Sequence, residues 1–216
     1  MKKILFTFLT LLCALNMSAQ YKVGDYYEKD GLKGIVVRVD DSGEHGLIMS
    51  LSNSAKKWIE DSDEKFSTNF FYEDDGEKNM AAAQKYIDEN GKSWDLFPFF
   101  SWCRSLGEGW YAPAIDELKD IVKAINGDVG KLNEKQLKVV EKTIKSHKGD
   151  ALRQKILTKV TDPWNMLSST EGEQGMVQQI AFIPAFIGKG KFEVMSLPKS
   201  QGGKMLGLGS RAVHKF

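Results

Sequence analysis

Read from its amino end, the chain opens on two lysines and an almost unbroken apolar run, Ile4 to Leu15, followed by Asn16-Met17-Ser18-Ala19. A short positive segment, an apolar stretch and a small-residue exit in that order predict a secretory signal peptide over residues 1–19, cleaved after Ala19. The apolar run is about a dozen residues, short of the ~20 that span a bilayer as a permanent helix. Beyond it, Gly34 to Asp40 (GIVVRVD) and Gly46 to Leu51 (GLIMSL) are β-branched and apolar. Asp41 to His45 joins them as a turn-rich connector, predicting a hairpin with a longer loop.

From Asp74 the period becomes helical. Asp74 or Asp75 can cap, and Met80, Ala83 and Ile87 share a stripe before Asn90-Gly91, predicting a helix from Gly76 to Glu89. A short helix follows from Pro98 to Leu106, with Phe97, Phe99, Phe100 and Trp102 assigned to the core. Pro113 opens a third helix, whose stripe of Ile115, Leu118, Ile121, Val122 and Ile125 ends at Gly127. Asn133 with Gln136 forms a capping-box start to a fourth, carrying Leu137, Val140 and Ile144 in a pattern that allows continuation past Gly149 to Leu157. After Asp162-Pro163 the character is β: Trp164 to Thr170, Met176 to Ile183, Phe192 to Ser196 and Arg211 to Phe216, with Lys199 to Ser210 as a glycine-rich loop. The expectation is one α+β domain over residues 20–216, with antiparallel strands at both termini, helices between them, and first and last strands placed to pair.

Cleavage changes the composition in two ways. The leader holds Lys2 and Lys3 and no acid, so 30 basic residues become 28 against 29 acidic ones. With the charges interspersed there is no basic patch, which excludes a nucleic-acid partner. Cleavage also removes Cys13, leaving Cys103 alone and forbidding an intramolecular disulfide. A lipoprotein cut just before Cys13 is the alternative, and the bulky Leu12 beside it argues against that. Cys103, between Trp102 and Leu106, is read as a buried small hydrophobe. One cysteine and three scattered histidines (His45, His147, His214) provide no metal framework, and no cofactor is expected.

Catalytic signatures are sparse. Ser168-Ser169-Thr170 supply hydroxyls without a GxSxG elbow, and paired acids such as Asp116/Glu117 are defined by their separation in space rather than in sequence. Asp74 to Glu77 lacks the alternating ligands of a calcium loop, and Lys199 to Ser210 lacks the ending of a phosphate-binding loop.

The segment from Phe97 to Leu118, FPFFSWCRSLGEGWYAPAIDEL, carries more. Gly109-Trp110-Tyr111-Ala112-Pro113 followed by Asp116-Glu117-Leu118 resembles the "G-W-x-L-P-(three)-E-L" core of a bacterial extracellular family with a C-type-lectin-like fold. That family includes the C-terminal domain of collagen-like adhesins and paralogous surface domains of Bacteroidales. Ser168 to Glu171 is similar to its "W-S-S-T-E" strand, Arg211 to Phe216 to its closing "R-x-V-R-x-F" strand, and the stretch from Val23 to its opening hairpin. Ala112, Met166-Leu167 and His214 depart from the pattern. The resemblance implies a single C-type-lectin-like domain, distantly related in fold to formylglycine-generating sulfatase modifiers, whose chemistry needs two cysteines.

Physically, Trp110, Pro113, Glu117, Leu118, Ser168, Ser169 and Thr170 are read as architecture. Trp164, Glu171, Arg211 and His214 are the expected ligand-binding residues. The functional expectation is a non-enzymatic, exported module in the periplasm, on the cell surface or secreted, that binds a glycan or an envelope protein. A structural part in an envelope assembly is the alternative. A hydrolase using carboxylates or Ser168/Ser169 is the third reading, which a compact site pairing His147 or His214 with one of those serines would favour.

Overall fold

The computed structural model describes residues 20–60, 68–152, 164–173, 175–185, 190–199 and 209–216. The expected signal peptide with Cys13, the expected helix continuation from 153 to 157 and most of the glycine-rich loop lie outside the described residues. The chain is α+β: the described residues form strands toward both ends, four α-helices between them, and two antiparallel sheets.

The first sheet holds β1 (Tyr26–Lys29), β2 (Leu32–Val39), β3 (Gly46–Met49) and β7 (Val213–Lys215), in the order β1-β2-β3-β7. The closing strand therefore pairs with β3, not with the first strand, and sets Ile48 opposite His214. Strand β1 was not expected from the pattern. Asp30 and Gly31, both at positive φ, fold it back on β2 in the tight turn such residues favour. Alternation along β2 sends Ile35 and Val37 into one core and Val36 to the opposite face, and the register with β3 shifts between Val36 and Arg38. The second sheet is β4 (Trp164–Glu171), β5 (Met176–Ile183) and β6 (Lys191–Pro198), in that order.

Helix α1 (Gly76–Asn90) is capped by Asp75 and closed by Gly91 in the left-handed region. Helix α2 spans Pro98–Ser105. Helix α3 spans Ile115–Asn126 and begins two residues beyond Pro113, because Ala114 keeps an extended ψ of 167° and serves as the N-cap. Helix α4 spans Glu134–Ser146 and does not continue past Gly149. Lys148 takes a φ of 61°, and the Gly149 N–H closes on the Ile144 carbonyl instead.

Beside a small cluster of Tyr27, Val36 and Ile48, two larger cores divide the interior of the described residues. One lies between the first sheet, the stripe of α3, α4 and the Trp164/Ile180/Phe192 face of the second sheet. The other packs α1 and α2 on the opposite face, with Trp58, Phe70, Phe97, Phe99 and Phe100 in mutual edge contacts. Cys103 is buried there, and burial pushes its thiol well up, away from the reactive thiolate. Trp102 differs from its neighbours: it is half-buried and lines a surface groove. Among the described residues no helix is long and apolar enough to cross a membrane.

Candidate functional site

Glu117 organises the junction where α1, α3 and the closing strand meet. It is fully buried and stands third in α3, so its Oε2 accepts from the Ala114 N–H at 2.8 Å. The same oxygen accepts from the Gly76 N–H at 3.1 Å, tying the start of α1 to the start of α3. Oε1 accepts from the Tyr111 hydroxyl at 2.7 Å, and the Arg38 guanidinium stands 3.9 Å away. Gly76 is required by close approach, since a Cβ there would lie 2.4 Å from the Ala112 carbonyl and 2.8 Å from the Glu117 carboxylate. Burial pushes the Glu117 carboxyl above its ordinary value against the pull of those donors. Burial and the adjacent carboxylate push the Tyr111 hydroxyl far up.

Tyr111 exchanges both main-chain hydrogen bonds with Val213 at 3.0 Å, so the Gly107–Tyr111 loop lies against the closing strand. Trp110 then meets His214 edge-on at 5.4 Å, and His214 Nε2 contacts the Glu108 carbonyl at 3.2 Å. Gly109 sits at φ +78°, and a Cβ on it would fall 2.3 Å from the imidazole. Lys215 donates to Glu77 of α1 at 2.5 Å, a bond that raises the lysine.

These pieces enclose a cleft of about 460 Å³ lined by Glu77, Met80, Arg104, Gly107, Glu108, Trp110 and Tyr111. Trp110 is half-buried in it, and the Arg104 guanidinium stacks 4.1 Å over Trp94 at its side. A wider groove of about 510 Å³ runs beside Trp102, Glu60 and Asp95. Behind the Trp110 cleft, Tyr111 leads to the buried Glu117 and on to Arg38, while Lys215 pairs with Glu77 at its edge. Groups with shifted proton affinity in a cleft mark a candidate site.

The four expected binding residues occupy four separate surroundings. His214 alone reaches the surface, beside Trp110. Trp164 is buried edge-on to Phe192, with Gly209 so close that a Cβ would lie 2.2 Å from the indole nitrogen. Arg211 is buried and clamps two turns through main-chain carbonyls: Nη1 donates to Ser50 and Leu51 at 2.7 Å, Nη2 to Asp150 at 2.8 Å. Burial lowers its guanidinium to about 10, leaving it charged at neutral pH. A lysine head cannot fork between both turns. Arg211→Lys is therefore expected to cost about 2–3 kcal/mol in urea-induced unfolding.

Glu171, at the end of β4, holds a turn from within. Its carboxylate accepts from the Thr68 N–H at 2.9 Å, from the Thr68 hydroxyl and from the Phe70 N–H at 3.4 Å, converging donors that form a small nest around Asn69. Lys199, also buried, forms an ion pair with Glu171 and donates to the Thr68 hydroxyl at 3.2 Å.

The neighbouring hydroxyls are likewise engaged in structure. Ser168 donates to the Gln178 carbonyl at 2.7 Å and Ser169 to the Pro113 carbonyl at 3.2 Å. Thr170 donates to Tyr72 O at 2.9 Å and accepts from the Ile115 N–H at 3.0 Å. Pro113 and Leu118 are buried beside them. His147 stacks 3.4 Å from Tyr26, away from these serines, and His214 is engaged at Trp110. Among the described residues no group of three or more His, Cys, Asp or Glu is arranged to hold a metal ion.

Sequence reasoning missed Glu77, Arg104, Glu108 and Lys215. The Gly107-Glu108-Gly109 break was the available signal that a loop, not a helix, presents Trp110. Compared with known proteins, the chain matches no family model and no curated protein.

Proposed function

We propose that the protein is an exported, lectin-like recognition module that binds a glycan in the Trp110 cleft. The observation that carries this reading is the half-buried Trp110, edge-on to His214, in a cleft lined also by Glu77, Glu108 and Arg104. An indole face takes the apolar side of a sugar ring, while rim groups take its hydroxyls. The leader sequence and the resemblance of the Gly109–Leu118 motif to extracellular C-type-lectin-like domains support the same reading. The site needs no bond-making step, and its polar network acts by fixing the cleft in shape before a ligand arrives.

The mature protein applied to a broad glycan array tests it. Wild type is expected to retain a defined subset of glycans, and Trp110→Ala to lose about tenfold or more in affinity, the scale of one desolvated aromatic contact. Equal binding by the two proteins, with both folded, would remove Trp110 from the site.

A second reading, a part in an envelope assembly, has its own observation. Leu132, Leu137, Trp164 and Phe182 line an apolar groove of about 200 Å³ beside the start of α4, and Val139 on that helix is 57% exposed. Co-purification of a stoichiometric envelope protein, lost on Leu137→Glu, is the expected result there.

A further inference from the structure

On the opposite flank of α1 from Trp110 lies a second cleft, of about 410 Å³, between that helix and the Thr68–Tyr72 segment. Three observations converge on it. The segment is fixed from below by the buried Glu171–Lys199 pair, which grips Thr68 and Phe70. Asn69, at the turn, takes a φ of +63°, the left-handed region that asparagine enters more readily than most non-glycine residues, so the turn is met by a residue suited to it. Immediately after it, Phe71 and Tyr72 are 49% and 46% exposed, two large side chains directed to solvent from a rigid turn.

We infer that this cleft is a second binding site, for a neutral saccharide. Tyr72 on one side and Tyr86 on the other supply amphipathic aromatic walls, and Ala81 and Ala82 leave the floor low between them. Lys78 stands 5.4 Å from the Tyr72 ring centre and steadies it. The cations at the rim are matched on their own helix: Lys78 pairs with Asp75 at 3.4 Å and Lys85 with Glu89 at 3.7 Å. Little uncompensated charge is left to select an ionic ligand, whereas ammonium, carboxylate and Asn69 side chains around aromatic walls suit the hydroxyls and apolar face of a pyranose. The volume lies within the range of small-ligand sites. This site shares no lining residue with the Trp110 cleft, so each stands or falls alone.

The test is an amide NMR titration of the mature protein with neutral trisaccharides (malto-, cello-, laminari-, manno- and chito-series), with trigalacturonate, a heparin hexasaccharide and a proline-rich decapeptide as contrasts. At least one neutral trisaccharide is expected to shift amides in 68–72 and 78–89. Its Kd should change less than about twofold between 0.05 and 0.5 M NaCl, since no ion pair is being screened. Tyr72→Ala is expected to weaken it about tenfold. Ala81→Leu, which fills the floor with another good helix former, should do the same, keeping the test valid if the tyrosine variant unfolds. No shift with any neutral sugar, shifts only with the charged sugars or the peptide, or unchanged binding by both variants would overturn the inference.

Discussion

Lys199→Met is expected to destabilise the protein by about 3–5 kcal/mol, the loss typical when one partner of a buried ion pair is removed. Lys199 and Glu171 are 1% and 3% exposed, so no water replaces the lost ammonium. The carboxylate would keep its donors from Thr68 and Phe70 but lose its counter-charge. The double variant Lys199→Met/Glu171→Gln should recover a large part of the loss, because an amide oxygen can still accept from the two N–H groups without needing a cation. Urea unfolding of the four proteins in a double-mutant cycle measures this, urea being preferred because guanidinium salts screen charge. A single variant within about 0.5 kcal/mol of wild type, the range of ordinary surface substitutions, would show that the pair contributes nothing to holding the 68–72 turn.

The second large effect is expected at Glu117. Glu117→Ala removes the acceptor for the Ala114 and Gly76 N–H groups and for the Tyr111 hydroxyl, all buried. Leaving such donors unpaired should cost about 3–5 kcal/mol in total. Glu117→Gln retains the shape and one oxygen for the two N–H groups, and should cost about 1–2 kcal/mol. The pH dependence separates charge from shape. Because burial raises the folded carboxyl above its ordinary 4.5, the folded protein holds that proton more tightly than the unfolded chain. The group's contribution is then full below pH 4.5 and declines as pH rises through the elevated folded value. Glutamine has no such step. The stability gap between wild type and Glu117→Gln should therefore narrow from pH 4 to 7, read by urea unfolding across that range.

Local signals carried much of the fold, and long-range pairing carried the site. The α3 stripe is plain in Ile115, Leu118, Ile121, Val122 and Ile125, and all five are buried. Strand β1 escaped because Tyr-Tyr-Glu-Lys is short, charged and at a sheet edge, leaving the Asp30-Gly31 turn as its sole mark. Half of the Glu117 arrangement is local, through Ala114. The other half depends on Gly76, 41 residues earlier, which no spacing rule connects to it. Glu171 was expected to contact ligand from its place near the C-terminal strands. Here it is enclosed by a turn 101–103 residues away, and the ion pair with Lys199 makes that burial tolerable. The cleft itself exists because the Tyr111–Val213 bridge brings Trp110 to His214, and because Lys215 reaches Glu77 across 138 residues.

The claim that Trp110 lies at the centre of a recognition site is tested most directly by mapping. An amide NMR titration of the mature protein with the glycan it retains most strongly on an array should shift residues 77–80, 104–111 and 214–215, and Trp110→Ala should abolish those shifts while leaving the remaining spectrum in place. Shifts confined to the apolar groove at residues 132–141, or shifts that persist in Trp110→Ala, would contradict it.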